Sequence, residues 1–160
     1  MNAVPAPAIR LARADDAEAI ACLSRDTIEA GLPWRWRAPA IRDLVASARH
    51  NVIVAERDGA IAGFAAMSYA DTEAYLALLA VAPAARRTGL ARHLLGWLLT
   101  TADVAGTAVL RVDLREDNLA ARRLYMDAGF VECGRKPGGY YGRVDQVSMR
   151  LTLRPAEAAV

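Results

Sequence analysis

Arg86-Arg87-Thr88-Gly89-Leu90-Ala91 stands between an apolar, strand-like run at residues 75–81 and a leucine-rich run at residues 90–101. Leu90, Leu94, Trp97, Leu98 and Thr101 recur at helical spacing, which predicts a helix with one buried face. A glycine-containing turn that opens a helix presents several unpaired backbone N–H groups, and the positive end of the helix dipole, to a single anion. Gly89 stands where backbone must approach such a ligand closely, Pro83 ends the preceding strand, and Arg86 and Arg87 add positive charge at the same place. The stretch has neither the Gly-x-x-x-x-Gly-Lys-Ser/Thr spacing of a triphosphate loop nor the Gly-x-Gly-x-x-Gly of a dinucleotide turn. The bland alternative for this stretch alone is a strand-turn-helix corner with solvated arginines.

Downstream, Asn118-Leu119-Ala120-Ala121-Arg122-Arg123-Leu124-Tyr125-Met126-Asp127-Ala128-Gly129-Phe130 reads as a second helix. Asn118 caps it, Gly129 closes it in a left-handed conformation, and Phe130 opens the next strand. Arg86-x-x-Gly89-x-Ala91 followed by Asn118-x-x-Ala121-x-x-x-Tyr125-x-x-x-Gly129-Phe130 resembles, in order and separation, the two signatures of the GNAT superfamily of N-acetyltransferases. The resemblance covers almost the whole chain. It is strongest over residues 75–130, weakest before Val52, and within the superfamily nearest to the ribosomal-protein alanine N-acetyltransferases.

Length and composition fit one compact enzyme. A chain of 160 residues suits a single acetyltransferase domain spanning 1–160 with a sizeable core. Its net charge of +2 argues against nucleic acid as a direct partner, because a phosphate-backbone face carries a concentrated basic excess. No apolar run approaches the roughly 20 residues needed to cross a bilayer, so no membrane partner is expected. The first residues do not read as a secretory leader, which points to the cytoplasm. Cys22 and Cys133 lack Cys-x-x-Cys or histidine partners at metal spacing, so no metal site is expected. Both read as reduced thiols acting as small core residues.

The elements alternate along the chain. A first strand at 9–13 precedes a helix capped by Asp15 and running to about Glu29, then the break at residues 31–37 and a short helix at 39–48. A hairpin follows, 52–57 and 61–69, turned by Asp58-Gly59. The strand at 75–81, the helix after the anion turn, a strand at 108–114, the Tyr125 helix and strands at 130–136 and 144–153 complete the order. Tails at 3–7 and 155–160 are short and rich in Pro and Ala, and are expected to fray. This order predicts a mixed α/β fold, a central mixed sheet with helices on both faces.

The resemblance implies more. In the GNAT fold the two middle strands, here 75–81 and 108–114, splay apart and admit the pantetheine arm of acetyl-CoA and the amine from opposite sides. Backbone groups of Leu79, Ala80 and Val81 would hold the pantetheine. Arg86, Arg87, Thr88, Gly89, Leu90 and Ala91 would hold the diphosphate, with Asn118 and Tyr125 further cofactor contacts. Transfer is expected by direct attack in a ternary complex, with no nucleophilic Ser or Cys. An amine is mostly protonated at neutral pH and must lose a proton before it attacks, whereas a phenol keeps its proton at pH 7 and can give it to the leaving thiolate. Tyr125 suits the acid. Two carboxylates compete for the base: Asp113, at the position of a base glutamate in the alanine acetyltransferases but one methylene shorter, and Glu73, on the same side as Tyr75 at the mouth of its strand. His50 and His93 read as surface residues.

Leu32-Pro33-Trp34 and Tyr140-Tyr141 resemble the substrate loops of the alanine acetyltransferases, so Leu32, Trp34, Tyr140 and Tyr141 are candidate contacts to the acceptor. Trp36, Arg35 and Arg37 have no counterpart in that resemblance. The acceptor implied is the terminal amine of a protein or peptide. The alternatives are a polyamine, amino acid or antibiotic amine, or a non-catalytic sensor that binds CoA without using Tyr125. A homodimer is open on the same resemblance.

Overall fold

The computed structural model describes residues 6–154. The tail expectations therefore lie outside the described residues, apart from Ala6 and Pro7. Two compact units are built from the chain, one running up to Ala66 and including Leu78–Trp97, the other comprising Met67–Ala77 and the residues from Leu98 onward.

In the first unit, β1 (Ala8–Leu11) runs antiparallel to β2 (His50–Arg57), with Ala8 opposite Glu56 and Leu11 opposite Ile53. Arg10 bridges Asp16 at 2.8 Å and Glu56 at 2.6 Å. The first helix, α1 (Ala17–Asp26), begins later than expected because Ala14–Asp16 form a 3-10 turn in which Asp16 accepts the Arg13 N–H at 2.7 Å. Ala17, Ile20, Ala21 and Ser24 are its buried residues. A second helix, α2 (Ala38–Ala46), carries Pro39 in its first turn, where the missing N–H costs no hydrogen bond, and packs on α1 and β2. From β2 the chain reverses through Asp58 and Gly59, at φ 54° and 75°, into β3 (Ala60–Tyr69). Two consecutive positive φ values are what a two-residue hairpin requires.

Residues 52–55 and 62–67 are buried without alternation, the mark of strands covered on both faces. Gly63 permits the tight side of that packing. A Cβ there would stand 3.0 Å from the carbonyl oxygen of Ala80 on β4 (Glu73–Val81) and 3.1 Å from Leu94 on α3 (Leu90–Val104). Gly63→Ala is expected to lower unfolding free energy by about 1–3 kcal/mol, read from the denaturant midpoint. An unchanged midpoint would mean that α3 can lift off the strand freely.

In the second unit, β4 pairs in parallel with β5 (Val109–Arg115), from Glu73 opposite Val109 to Leu76 opposite Val112. A parallel pair needs a long crossover, and α3 lies in that connection. Next to β5, β7 (Val144–Thr152) runs antiparallel, and beyond it β6 (Val131–Tyr140). Among the described residues the seven strands form one mixed sheet in the order β1-β2-β3-β4-β5-β7-β6. Leu110, Val112 and Leu114 of β5 are buried, so Arg111, Asp113 and Arg115 project from the opposite face. The last helix, α4 (Leu119–Asp127), is capped by Asn118, whose side-chain oxygen accepts the Ala121 N–H at 3.1 Å. It is closed by Gly129 at φ 100°. Tyr125 is its buried residue, its ring 5.3 Å from that of Phe130.

Two expectations are corrected. The sixth strand runs on to Tyr140 rather than ending at Lys136, because a register shift through Gly138 and Gly139 lets Tyr140 pair with Val144. Cys22 and Cys133 are exposed, not core residues. Cys22 lies on the open side of α1, between the buried Ala21 and Ser24, and Cys133 falls at the bulge between Glu132 and Gly134 on the solvated strand β6.

Candidate active site

The anion turn belongs to the first unit. A 3-10 turn, Pro83–Ala85, follows β4, and the Thr88 hydroxyl donates to the Ala85 carbonyl at 2.6 Å. Arg87 holds φ 63° and Gly89 φ 78°, after which α3 begins at Leu90. A left-handed residue beside a helical one turns successive N–H groups toward a common concavity, and the N–H groups of the first helical turn have no intrahelical acceptor. For an arginine, the left-handed conformation costs about 1–2 kcal/mol, and strain of this kind collects where ligands are gripped. Arg86 and Arg87 are both exposed, which leaves their guanidinium groups open to an incoming phosphate. His93 closes the turn from α3, its backbone N–H donating to the Gly89 carbonyl at 3.1 Å with its Nδ1 at 2.9 Å from the same oxygen. The turn therefore offers backbone donors of a helix start and two exposed arginines to an anion.

The proton-transfer candidates gather in the second unit. Asp113 on β5 is held at both oxygens: the Tyr75 hydroxyl donates to Oδ2 at 2.9 Å, and the Ser148 hydroxyl to Oδ1 at 2.5 Å. Ser148 stands directly opposite Asp113 in the β5–β7 ladder. A carboxylate has about four lone-pair sites, so two donors still leave it able to receive a proton. Burial, then the negative charge of Asp113, pushes the Tyr75 phenol up, and the same two causes push Tyr140 up to about 12 against the opposing effect of Arg115. Tyr125, only 4% exposed, is raised by burial first and then by Tyr140 and Tyr75. All three phenols therefore keep their protons at neutral pH. Glu73 is not drawn into this cluster. It pairs with Arg111 at 3.2 Å, with both side chains about half exposed.

Glu29 orders the candidate acceptor loop in the first unit. The side chain is 7% exposed and accepts the N–H groups of Arg35 at 2.6 Å and Trp36 at 3.1 Å, together with the Ser24 hydroxyl at 3.0 Å. Guanidinium groups of Arg25 and Arg37 lie 5.2 Å and 4.4 Å from the Trp34 ring, and Arg35 lies 5.7 Å from that of Trp36. Glu29→Ala leaves these donors without an acceptor and is expected to cost about 2–4 kcal/mol of stability in urea unfolding. Leu32 and Trp34 are half-buried on this loop. In the second unit, Tyr140 is half-buried at the end of β6, and Tyr141 is exposed at φ 55° in the turn before β7. Leu79, Ala80 and Val81 close β4, and Asn118 is committed to capping α4.

Sequence reasoning missed Ser148 and Glu29. Ser148 could have been found by pairing the strand that carries Asp113 with the strand expected at 144–153, but nothing local to it marks a functional role. Glu29 reads as the end of a helix, and only the turn after α1 folds it inward.

The first unit thus carries an arginine-flanked turn at a helix start, and the second a buried phenol and a carboxylate held by two hydroxyls. Residues 14–130 match the Acetyltransferase (GNAT) family, and the chain belongs to that family. It is 35% identical over 100 residues to the [Ribosomal protein bS18]-alanine N-acetyltransferase of Escherichia coli strain K12, covering 61% of this chain and 68% of that protein. The crystal structure of the ribosomal-protein-S18-alanine N-acetyltransferase from Escherichia coli superposes with a TM-score of 0.83 at 26% identity, over 97% of this chain and 99% of the other. The structure of yncA from Salmonella typhimurium with its cofactor acetyl-CoA superposes at 0.78 and 25% identity, over 98% and 99%. The chain is an acetyl-CoA-dependent N-acetyltransferase of mixed α/β fold. Among the described residues, no helix is long and apolar enough to cross a membrane.

Proposed function

We propose that this acetyltransferase modifies the N-terminal amine of a protein or peptide in the cytoplasm, residues 1–160 working as one domain, with Tyr125 as acid and Asp113 as base. The observation that carries the proton-transfer assignment is the state of Asp113, a carboxylate held at both oxygens beside three protonated phenols, while Glu73 is engaged by Arg111. The choice of a protein amine is supported by the activity of the bacterial relative, which acts on a ribosomal-protein alanine.

Acetyl-CoA supplies the acetyl group as an activated thioester. The turn at Arg86–Ala91 grips its diphosphate, and the backbone of Leu79, Ala80 and Val81 orients its pantetheine arm. An α-amine has a pKa near 8, so most of it is protonated at pH 7 and cannot attack. Asp113 takes the surplus proton, through a water where the short side chain does not reach. The neutral amine forms the C–N bond at the thioester carbonyl, and as the C–S bond breaks Tyr125 gives its phenolic proton to the sulfur. The nitrogen sheds its second proton, which restores the phenol through solvent, and Asp113 releases the first proton to solvent as products leave. Leu32, Trp34, Tyr140 and Tyr141 are the candidate contacts to the acceptor.

A panel of peptides with different first residues, set against polyamines, free amino acids and aminoglycosides, tests the acceptor. Mass spectrometry is expected to locate the acetyl group on peptide α-amines. Faster turnover of a small amine than of any peptide overturns the reading in favour of a small-molecule acetyltransferase.

A further inference from the structure

We infer that Tyr75 and Ser148 are positioning residues which together fix the carboxylate of Asp113 in its proton-accepting orientation, an inference that rests on the assignment of Asp113 as base. The geometry is cross-strand. Tyr75 comes from β4, Asp113 from β5 and Ser148 from β7, so three adjacent strands each contribute one side chain to the same face. One hydroxyl goes to each carboxylate oxygen, at 2.9 Å and 2.5 Å. A single donor would leave the carboxylate free to swing about its terminal torsion. Two donors from opposite flanks stop it. This matters for an aspartate in particular, because a shorter arm has less reach with which to correct a misdirected oxygen.

The charged and titratable groups around Asp113 come from every neighbouring element. Arg111 and Arg115 share its strand, Arg111 being engaged by Glu73 of β4 and Arg115 by Asp117. Tyr140 at the end of β6 feels the Asp113 charge, and Tyr125 on α4 couples to Tyr140 and Tyr75. Of these groups, Tyr75 makes a hydrogen bond to the carboxylate itself, and Ser148 adds the second.

The test is kinetic, on the full chain with an alanine-initiated peptide and acetyl-CoA. Tyr75→Phe and Ser148→Ala are each expected to lower kcat by about tenfold or more, the cost of a misdirected reacting group, while KM for acetyl-CoA and the melting temperature stay at their wild-type values. The double variant is expected to fall further than either, and Ser148→Thr, which keeps the hydroxyl, to restore the rate. Wild-type kcat in both single variants overturns the inference, as does a loss in Ser148→Ala that Ser148→Thr does not restore. Unchanged turnover in Asp113→Asn would defeat the base assignment, and with it any catalytic use of the positioning. Loss of turnover in Asp113→Asn with wild-type rates in Tyr75→Phe and Ser148→Ala would defeat the positioning inference alone.

Discussion

Tyr125→Phe lowers kcat by on the order of 10²-fold or more, the usual contribution of a positioned general acid, while the melting temperature and the affinity for CoA remain close to wild type. The separation is expected because the ring and the hydroxyl do different work. Packing comes from the ring, which is buried and stacks at a tilt of 59° against Phe130. Phenylalanine keeps that contact. The hydroxyl carries the proton that the leaving sulfur needs, and burial together with the neighbouring Tyr140 and Tyr75 keeps it protonated well above neutral pH. Loss of the acid form is therefore not expected to limit the wild-type rate anywhere in the neutral range. Steady-state kinetics with an alanine-initiated peptide, alongside calorimetry with CoA, checks both halves. A variant that keeps its rate ends the acid assignment.

The second large effect is expected at the anion turn. Gly89→Val should reduce CoA affinity at least tenfold in calorimetry, because a side chain at φ 78° is strained by about 1–2 kcal/mol and a β-branched one more so. Space is not the obstacle. An added Cβ would meet the His93 imidazole at an ordinary 3.9 Å. The backbone must therefore leave the left-handed region, and the donors it aims at the diphosphate leave with it. Gly96→Ala on the same helix is the matched control: nothing lies within 4 Å of its Cβ position, and alanine favours a helix over glycine by about 0.5–1 kcal/mol. That variant should bind CoA as wild type and melt slightly higher. Equal binding by both variants would detach the turn from the cofactor.

What could be read from sequence followed from how local each signal was. Asn118 as a cap, Gly129 as a left-handed closure and Asp58-Gly59 as a hairpin turn depend on a few neighbouring residues, and all three hold in the structure. The helix after the anion turn was legible for the same reason, since Leu90, Leu94 and Leu98 declare a face by themselves. Asp113 was singled out, but its partners were not, because Ser148 meets it only through the register of β5 with β7 and Tyr75 only through the register of β4 with β5. No pattern along one strand encodes which residue will stand across from it. Glu29 escaped notice because its partners, Arg35 and Trp36, lie in an irregular loop whose path the carboxylate itself dictates. The cysteines misled for a related reason. A small apolar side chain is usually inward, but Cys22 falls on the wrong turn of α1 and Cys133 on a bulged outer strand.

The exposure of those two thiols has a practical use. One belongs to each compact unit, Cys22 to the first and Cys133 to the second, and neither lies among the residues assigned to the chemistry. Maleimide fluorophores attached there would form an energy-transfer ruler on the unaltered sequence, able to follow in real time whether the two halves of the enzyme shift as the thioester arrives and the acetylated product departs.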